Sequence, residues 1–302
     1  MGEARRRKLA EASQIEDLDA TQSSAWPLAN ASVQTQLEKK FSRLGIDFSK
    51  PGFHDSQPFL LAEARDPVFI ESYARYVEAR SYTDQDLADA QRKVAIAADV
   101  VTQAVQADGR HGLCVVASGV LSRILDELGV WNFCAKATLT VTFPPTVSEE
   151  RRYFYALDHG EFTAPHAIVV APPFVAVDTT VRAQTYDSSA MGEALPALVM
   201  QQQFTPFKWS DEDIAAPHAR MLLKAAGSSV QRYLEKQNSQ MLRMMKAFPA
   251  RRADYPGGSL DYVIIGVGGY AEKLADLAEL THIAGTSASR LFSEQVLPRL
   301  KS

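Results

Sequence analysis

Between Asp108 and Gly129 the chain reads DGRHGLCVVASGVLSRILDELG, and this stretch decides how the rest is read. A polar turn carrying Gly109 and Gly112 gives way to apolar residues at Leu113, Ala117, Val120, Leu121, Ile124, Leu125 and Leu128. Those positions recur with the helical period on one face, and Gly129 is suited to end the helix. Cys114 therefore falls in the first turn. Unpaired backbone N–H groups and the helix dipole there favour negative charge, which pushes a thiol toward thiolate. A lone cysteine on an amphipathic helix is ordinarily a small buried hydrophobe. The helix-start position and the glycine-bearing turn before it weigh against that role.

Working outward, the segment PHAIVVAPPFVAVDTTV, residues 165–181, reads as two short strands, His166 to Val170 and Phe174 to Val181, around Pro172-Pro173. Prolines suit a hairpin connection better than a strand interior. A three- or five-residue loop centred on Pro172 would set His166 directly opposite Asp178 on one face. A two- or four-residue loop would put them on opposite faces, because the side-chain period is two. Asp178 stands in an otherwise apolar run, where a buried carboxylate needs a partner or costs several kcal/mol. A Cys–His–Asp set works because imidazole takes the thiol proton while the carboxylate fixes the tautomer and stabilises the charged ring. His159, beside Asp158, is the rival base, but no strand pattern fixes it. Cys134 reads as packing.

A cysteine opening a helix, then His on one strand and Asp on the next, resembles the catalytic core of the transglutaminase-like branch of the papain-like fold. Arg110-His111-Gly112-Leu113-Cys114 is similar to the Arg-Gly-Gly-Phe-Cys segment of arylamine N-acetyltransferases. The cysteine helix followed by the His and Asp strands is similar to the leader-peptide cysteine proteases of lasso-peptide biosynthesis. The likeness covers roughly a quarter of the chain. His111 stands where the family has glycine, and Ala167-Ile168 follows His166 in place of the frequent Ala-Trp. The resemblance implies an α+β fold with the cysteine helix packed on an antiparallel sheet, and helical N- and C-terminal additions. It implies Cys114 as nucleophile, His166 as general base and Asp178 as orienting carboxylate. Arg110, His111, Gly112 and Gln184 would line or modulate the site. The implied chemistry is acyl transfer through a thioester, with hydrolysis of a peptide or amide first. Transfer to an amine, or binding without catalysis, are the alternatives. No cofactor or metal is expected, since no paired Cys/His spacing of the zinc type occurs.

The whole chain has 302 residues, 46% hydrophobic and 23% charged, the composition of an ordinary globular protein. A net charge of −4 argues against a surface that binds nucleic acid throughout. No apolar run approaches the roughly 20 residues that cross a bilayer. The basic start through Arg5-Arg6-Arg7-Lys8 lacks a following apolar stretch, and Arg6 breaks the myristoylation pattern. Two cysteines make no disulfide framework, so a reducing, cytoplasmic setting is expected. Peptide, amide or acyl-donor substrates are the expected partners.

The expected organisation is a basic arm over 1–30, a helical extension over 31–84, a core over 85–187 and a mostly helical region over 188–302. In the extension, short helices are expected at Ser32–Leu44, Phe59–Arg65 and Pro67–Arg80, with Phe69, Tyr73 and Tyr76 as packing residues. Thr83 and Asp86 form a capping-box pattern opening a long helix. A strand is expected through Ala135–Phe143, then an excursion with a short strand at Tyr153–Leu157. In the C-terminal region the pattern gives helices at Asp211–Ala226 and Ser228–Phe248, the latter with Met241, Met244 and Met245 as core. A turn-rich break at Arg251–Gly258 precedes a strand at Tyr262–Ile265, a helix from about Tyr270 and a last one near Ser287–Leu300. The run Gly266-Val267-Gly268-Gly269-Tyr270-Ala271 fits the Gly-x-Gly-x-x-Gly/Ala dinucleotide pattern. Only about thirty residues follow it, too few for the full unit, so a tight strand-to-helix turn is the expected role of its glycines.

Overall fold

The computed structural model describes residues 26–158 and 165–301. The basic run Arg5–Lys8 and the rival base His159 lie outside the described residues. The helices of the N-terminal half are α1 (Ala31–Arg43), α2 (Gln57–Arg65), α3 (Ile70–Ala79), α4 (Asp84–Asp108) and α5 (Cys114–Glu127). The long helix α4 opens on the expected capping box: Asp86 N–H donates to Thr83 Oγ1 at 3.1 Å, and Thr83 N–H to Asp86 Oδ2 at 3.0 Å. It stops at Gly109, whose φ of +71° is the left-handed conformation that glycine adopts without strain.

The strands are β1 (Phe133–Thr142), β2 (Arg152–Phe154), β3 (His166–Ala171), β4 (Phe174–Asp178), β5 (Val199–Gln201), β6 (Thr205–Pro206), β7 (Arg251–Tyr255) and β8 (Gly258–Gly268). They form one antiparallel, curled half-barrel sheet in the order β5-β4-β3-β1-β8-β7-β6, with β2 also pairing β1. The fold is mixed α+β. The C-terminal part, expected to be mostly helical, supplies β5 to β8, and β8 lies beside β1 in the sheet centre.

Alternation along the strands sends side chains to two faces. On one face Ala135, Ala137, Leu139, Ile168, Val170 and Tyr262 pack with Phe41, Phe53, Phe59, Phe69, Tyr73 and Tyr76 from the N-terminal helices. Arg251 reaches into this layer fully buried, its guanidinium 2.8 Å from Glu78 Oε1 and 3.1 Å from the Val175 carbonyl. On the other face α4 and α5 cover Val169, Ala171 and Val177. Farther along that face the C-terminal helices cover Val263 and Ile265.

Several sequence expectations are corrected in the C-terminal half. Asp211–Ala226 is two pieces, Asp211–Ile214 and Pro217–Ala225, because Pro217 cannot continue a helix but starts one well. Ser228–Phe248 divides at Asn238 into Val230–Gln237 and Ser239–Ala247. The Asn238 side chain caps the second piece by accepting from Met241 N–H. Arg251–Gly258 is not a loop but strand β7 and its turn into β8. Its charged residues disguise it: Arg251 is paired inside the fold, and Arg252 forks onto Asp261 at 2.6 and 2.9 Å. The stretch from Tyr270 forms two short 3₁₀ turns, Leu274–Asp276 and Glu279–Thr281, in place of a helix. Gly266 and Gly268 therefore lie inside an antiparallel strand with no helix to receive a pyrophosphate, which removes both the dinucleotide reading and the strand-to-helix turn.

Candidate active site

Cys114 is the first residue of α5, as the sequence indicates. Gly112, at φ +75°, makes the turn that delivers it, and Gly112 N–H donates to the Ala183 carbonyl at 3.3 Å. The first turn of α5 has no capping side chain and no acidic residue, so the positive end of the helix acts on the thiol undiluted. The helix is moored to β3 by Ser118, whose hydroxyl donates to the Ala167 carbonyl at 3.0 Å. Cys114 is 6% exposed. The next residue, Val115, is 61% exposed.

The hairpin brings His166 and Asp178 together by an unexpected register. Pro172-Pro173 is a two-residue loop, since Ala171 pairs with Phe174, and a two-residue loop alone would separate the two side chains across the sheet. A bulge between Val169 and Ala171 moves the pairing to Val169 with Val177, and the extra residue restores the shared face. His166 Nε2 lies 2.7 Å from Asp178 Oδ2, both side chains fully buried. The carboxylate is saturated: Tyr262 Oη donates to Oδ2 at 3.0 Å, and Thr180 donates to Oδ1 from its N–H at 2.9 Å and its hydroxyl at 3.2 Å.

With Nε2–H committed to Asp178, the other ring nitrogen, Nδ1, is left for the thiol. Nδ1 is buried and carries no aligned hydrogen bond, while the Cys114 sulfur lies close enough for ring and thiol to shift each other's protonation. Loose alignment of this kind is common in an unliganded site. Burial pushes the Cys114 thiol up, but the hydrogen-bonding and charge of His166 outweigh it, and the thiol lies below its ordinary value. Burial pulls His166 down, but Asp178 holds it well above the usual imidazole range. Burial raises Asp178, and His166 with the Thr180 and Tyr262 donors brings it below the usual carboxylate range. All three shifts favour thiolate, imidazolium and carboxylate together. Cys134 contrasts: sealed in β1, it is pushed up to about 12 by burial.

The remaining sequence candidates fall outside this triad. Arg110 is clamped on Asp108 at 2.5 and 2.8 Å and on the His282 carbonyl at 2.9 Å, so it organises the turn from the solvent side. His111 is exposed. Gln184 is buried, but its amide donates to the Thr180 carbonyl at 3.0 Å and braces the turn after Asp178. Sequence reasoning missed Tyr262, Thr180 and Ser118. The first lies 84 residues from Asp178, and no local pattern connects them.

No known protein family, curated protein or solved structure matches this chain. Among the described residues no group of His, Cys, Asp and Glu is arranged to hold a metal ion, and no helix is long and apolar enough to cross a membrane.

Proposed function

We infer that the protein is a thiol-dependent acyl-transfer enzyme of the transglutaminase-like, papain-like type, hydrolysing a peptide or amide bond. The observation that carries this reading is the charge-coupled row of Cys114, His166 and Asp178, with the sulfur on an uncapped helix start and the carboxylate saturated by donors. A neighbour that lowers the pKa of a buried thiol is expected of a nucleophile and not of a packing cysteine.

Cys114 gives its proton to His166 Nδ1, and the thiolate attacks the acyl carbonyl, forming the C–S bond. The carbonyl oxygen becomes an oxyanion, to which the Cys114 N–H at the open end of α5 is the nearest built-in donor. Collapse breaks the C–N bond, and His166 returns the proton to the departing amine. Water then attacks the thioester, His166 takes its proton, and the thiolate leaves with the acid released. Asp178 holds the ring in one tautomer throughout.

The test is intact-mass trapping with a panel of peptide and amide acyl donors on the parent and on Cys114→Ala. A mass increase equal to the acyl group on the parent alone is expected. Equal labelling of both proteins, or slow alkylation of Cys114 by iodoacetamide at an ordinary thiol pKa, would overturn the reading in favour of a binding protein.

A further inference from the structure

A cavity of about 240 Å³ lies between the corner joining α2 to α3 and the end of β8. Glu63 of α2, Pro67 in the corner, Ile70 at the start of α3, and Val267 and Gly268 of β8 line it, together with His54. None of these residues takes part in the Cys114–His166–Asp178 row.

His54 belongs to a short 3₁₀ turn, Phe53–Asp55, that starts from Gly52 at φ +74°. Gly52 N–H donates to Tyr73 Oη at 3.0 Å, which fastens the turn to the core. The His54 ring is 4.5 Å from that of Tyr73 and 6.5 Å from that of Phe59, centre to centre, so aromatic neighbours fix its place. The residue is 9% exposed. Burial, with the Arg123 charge acting in the same sense, pulls its pKa down to about 3 and keeps the ring neutral. A neutral imidazole has one N–H and one acceptor nitrogen. The Tyr270 carbonyl attracts the N–H. Among the described residues no group donates to the ring; Nδ1 is sealed from solvent, while Nε2 is not. A buried histidine thus keeps an acceptor unused beside an open cavity, an arrangement that calls for a partner.

The charge on the wall narrows the choice. Among the lining residues Glu63 alone is charged. Burial raises its carboxyl above the ordinary value, and no cation acts on it. A half-buried carboxylate without a counter-ion favours a cationic guest. Pro67, Ile70 and Val267 add apolar surface. Gly268 brings bare backbone, where a built Cβ would meet nothing within 4 Å. The space is smaller than the roughly 300–1,000 Å³ of drug-sized sites, so the guest is small.

From this arrangement we propose that the cavity is a binding site for a small amine that carries a second hydrogen-bond donor, the chemistry of an amino alcohol. The ammonium pairs with Glu63, the hydroxyl donates to His54, and the carbon chain lies on Pro67, Ile70 and Val267. The site stands or falls independently of the chemistry proposed at Cys114.

The experiment is calorimetric titration of the whole protein with linear amino alcohols of about three to six carbons, the sizes that so small a space admits. Diols, ω-hydroxy acids and alkylamines of matching length are the controls. The best amino alcohol should bind saturably at one site, about tenfold more tightly than its diol or its alkylamine, and the hydroxy acid should not bind. Glu63→Gln, a change at a half-buried position, should weaken the amino alcohol about tenfold and leave the diol unchanged. The imidazole ¹⁵N spectrum of the parent provides the second readout, with His54 recognised as a ring still neutral at about pH 5. Its unprotonated nitrogen should shift as the site fills. Absence of saturable binding, equal affinity for amino alcohol and hydroxy acid, undiminished affinity in folded Glu63→Gln, or binding that leaves the His54 signal in place would each overturn the assignment.

Discussion

Replacing Asp178 by asparagine tests the site most sharply, because the surrounding donors dictate how the new amide must sit. Asp178 Oδ1 receives two bonds from Thr180, the N–H at 2.9 Å and the hydroxyl at 3.2 Å. The oxygen of asparagine must occupy that position, which turns its NH₂ toward His166 Nε2, 2.7 Å away in the parent. Nε2 then has to accept, so the ring proton moves to Nδ1, where it faces the sulfur and blocks proton uptake from the thiol. The charge that stabilises the imidazolium is lost as well, and burial alone takes the His166 pKa down. In a triad the wrong tautomer costs about 10⁴ in kcat, or roughly 5.4 kcal/mol of barrier at 1.36 kcal/mol per decade. The assay is the pH dependence of Cys114 alkylation by iodoacetamide, read on the isolated peptide, with thermal unfolding as the control. In the parent the rate rises through a midpoint below that of a free thiol; in Asp178→Asn the midpoint moves upward and the neutral-pH rate drops at least tenfold. Superimposable profiles from two folded proteins would refute the coupling of carboxylate, ring and sulfur.

Other outcomes follow from the same geometry. Tyr262→Phe removes one of the two bonds on Asp178 Oδ2 and should cost about 1–2 kcal/mol in unfolding free energy, with a smaller upward shift of the alkylation midpoint than Asp178→Asn gives. Cys134, held at about 12 by burial, should stay unlabelled in the native protein and react only in urea, as peptide mapping will reveal. Glu78→Ala leaves the Arg251 charge buried without its partner and should destabilise by about 3–5 kcal/mol in urea titrations, the largest effect among these variants. Asp126 is raised from 3.8 to about 7, mainly by burial. Its folded pKa exceeds the unfolded one, so its contribution is complete below about pH 4 and disappears as pH rises through about 7. Asp126→Asn should therefore gain on the parent by a few kcal/mol between pH 5 and pH 8 in paired urea titrations, whereas a constant difference would contradict the raised value.

How far the sequence could be read depended on whether the signal was local. The helix start at Cys114 was legible because the Gly112 turn, the apolar stripe and Gly129 are all within one segment. The strands of His166 and Asp178 were legible for the same reason, but their register was not. It depends on a bulge at Val169–Ala171 that no residue type announces, and without it the two-residue loop would have parted them. The strands β7 and β8 were obscured by their own polar residues: Arg251, Arg252 and Asp261 break the apolar alternation, and each is satisfied by a partner distant in sequence or across the hairpin. Gly266 and Gly268 imitate a phosphate-binding turn because the pattern is one of spacing, and spacing does not tell a strand end from a strand middle.

The central pairing of β1 with β8 also governs how the protein is made. Ala137 lies against Ile264, and the residue that completes the carboxylate's set of donors, Tyr262, arrives on the same late strand. A ladder between such distant segments cannot close until β8 has left the ribosome, and non-local ladders of this kind form slowly. Until then Asp178 lacks its tyrosine and β1 lacks one neighbour. Under the proposed function, the thiol therefore gains its full set of supporting groups only after β8, with Tyr262, has been made and paired.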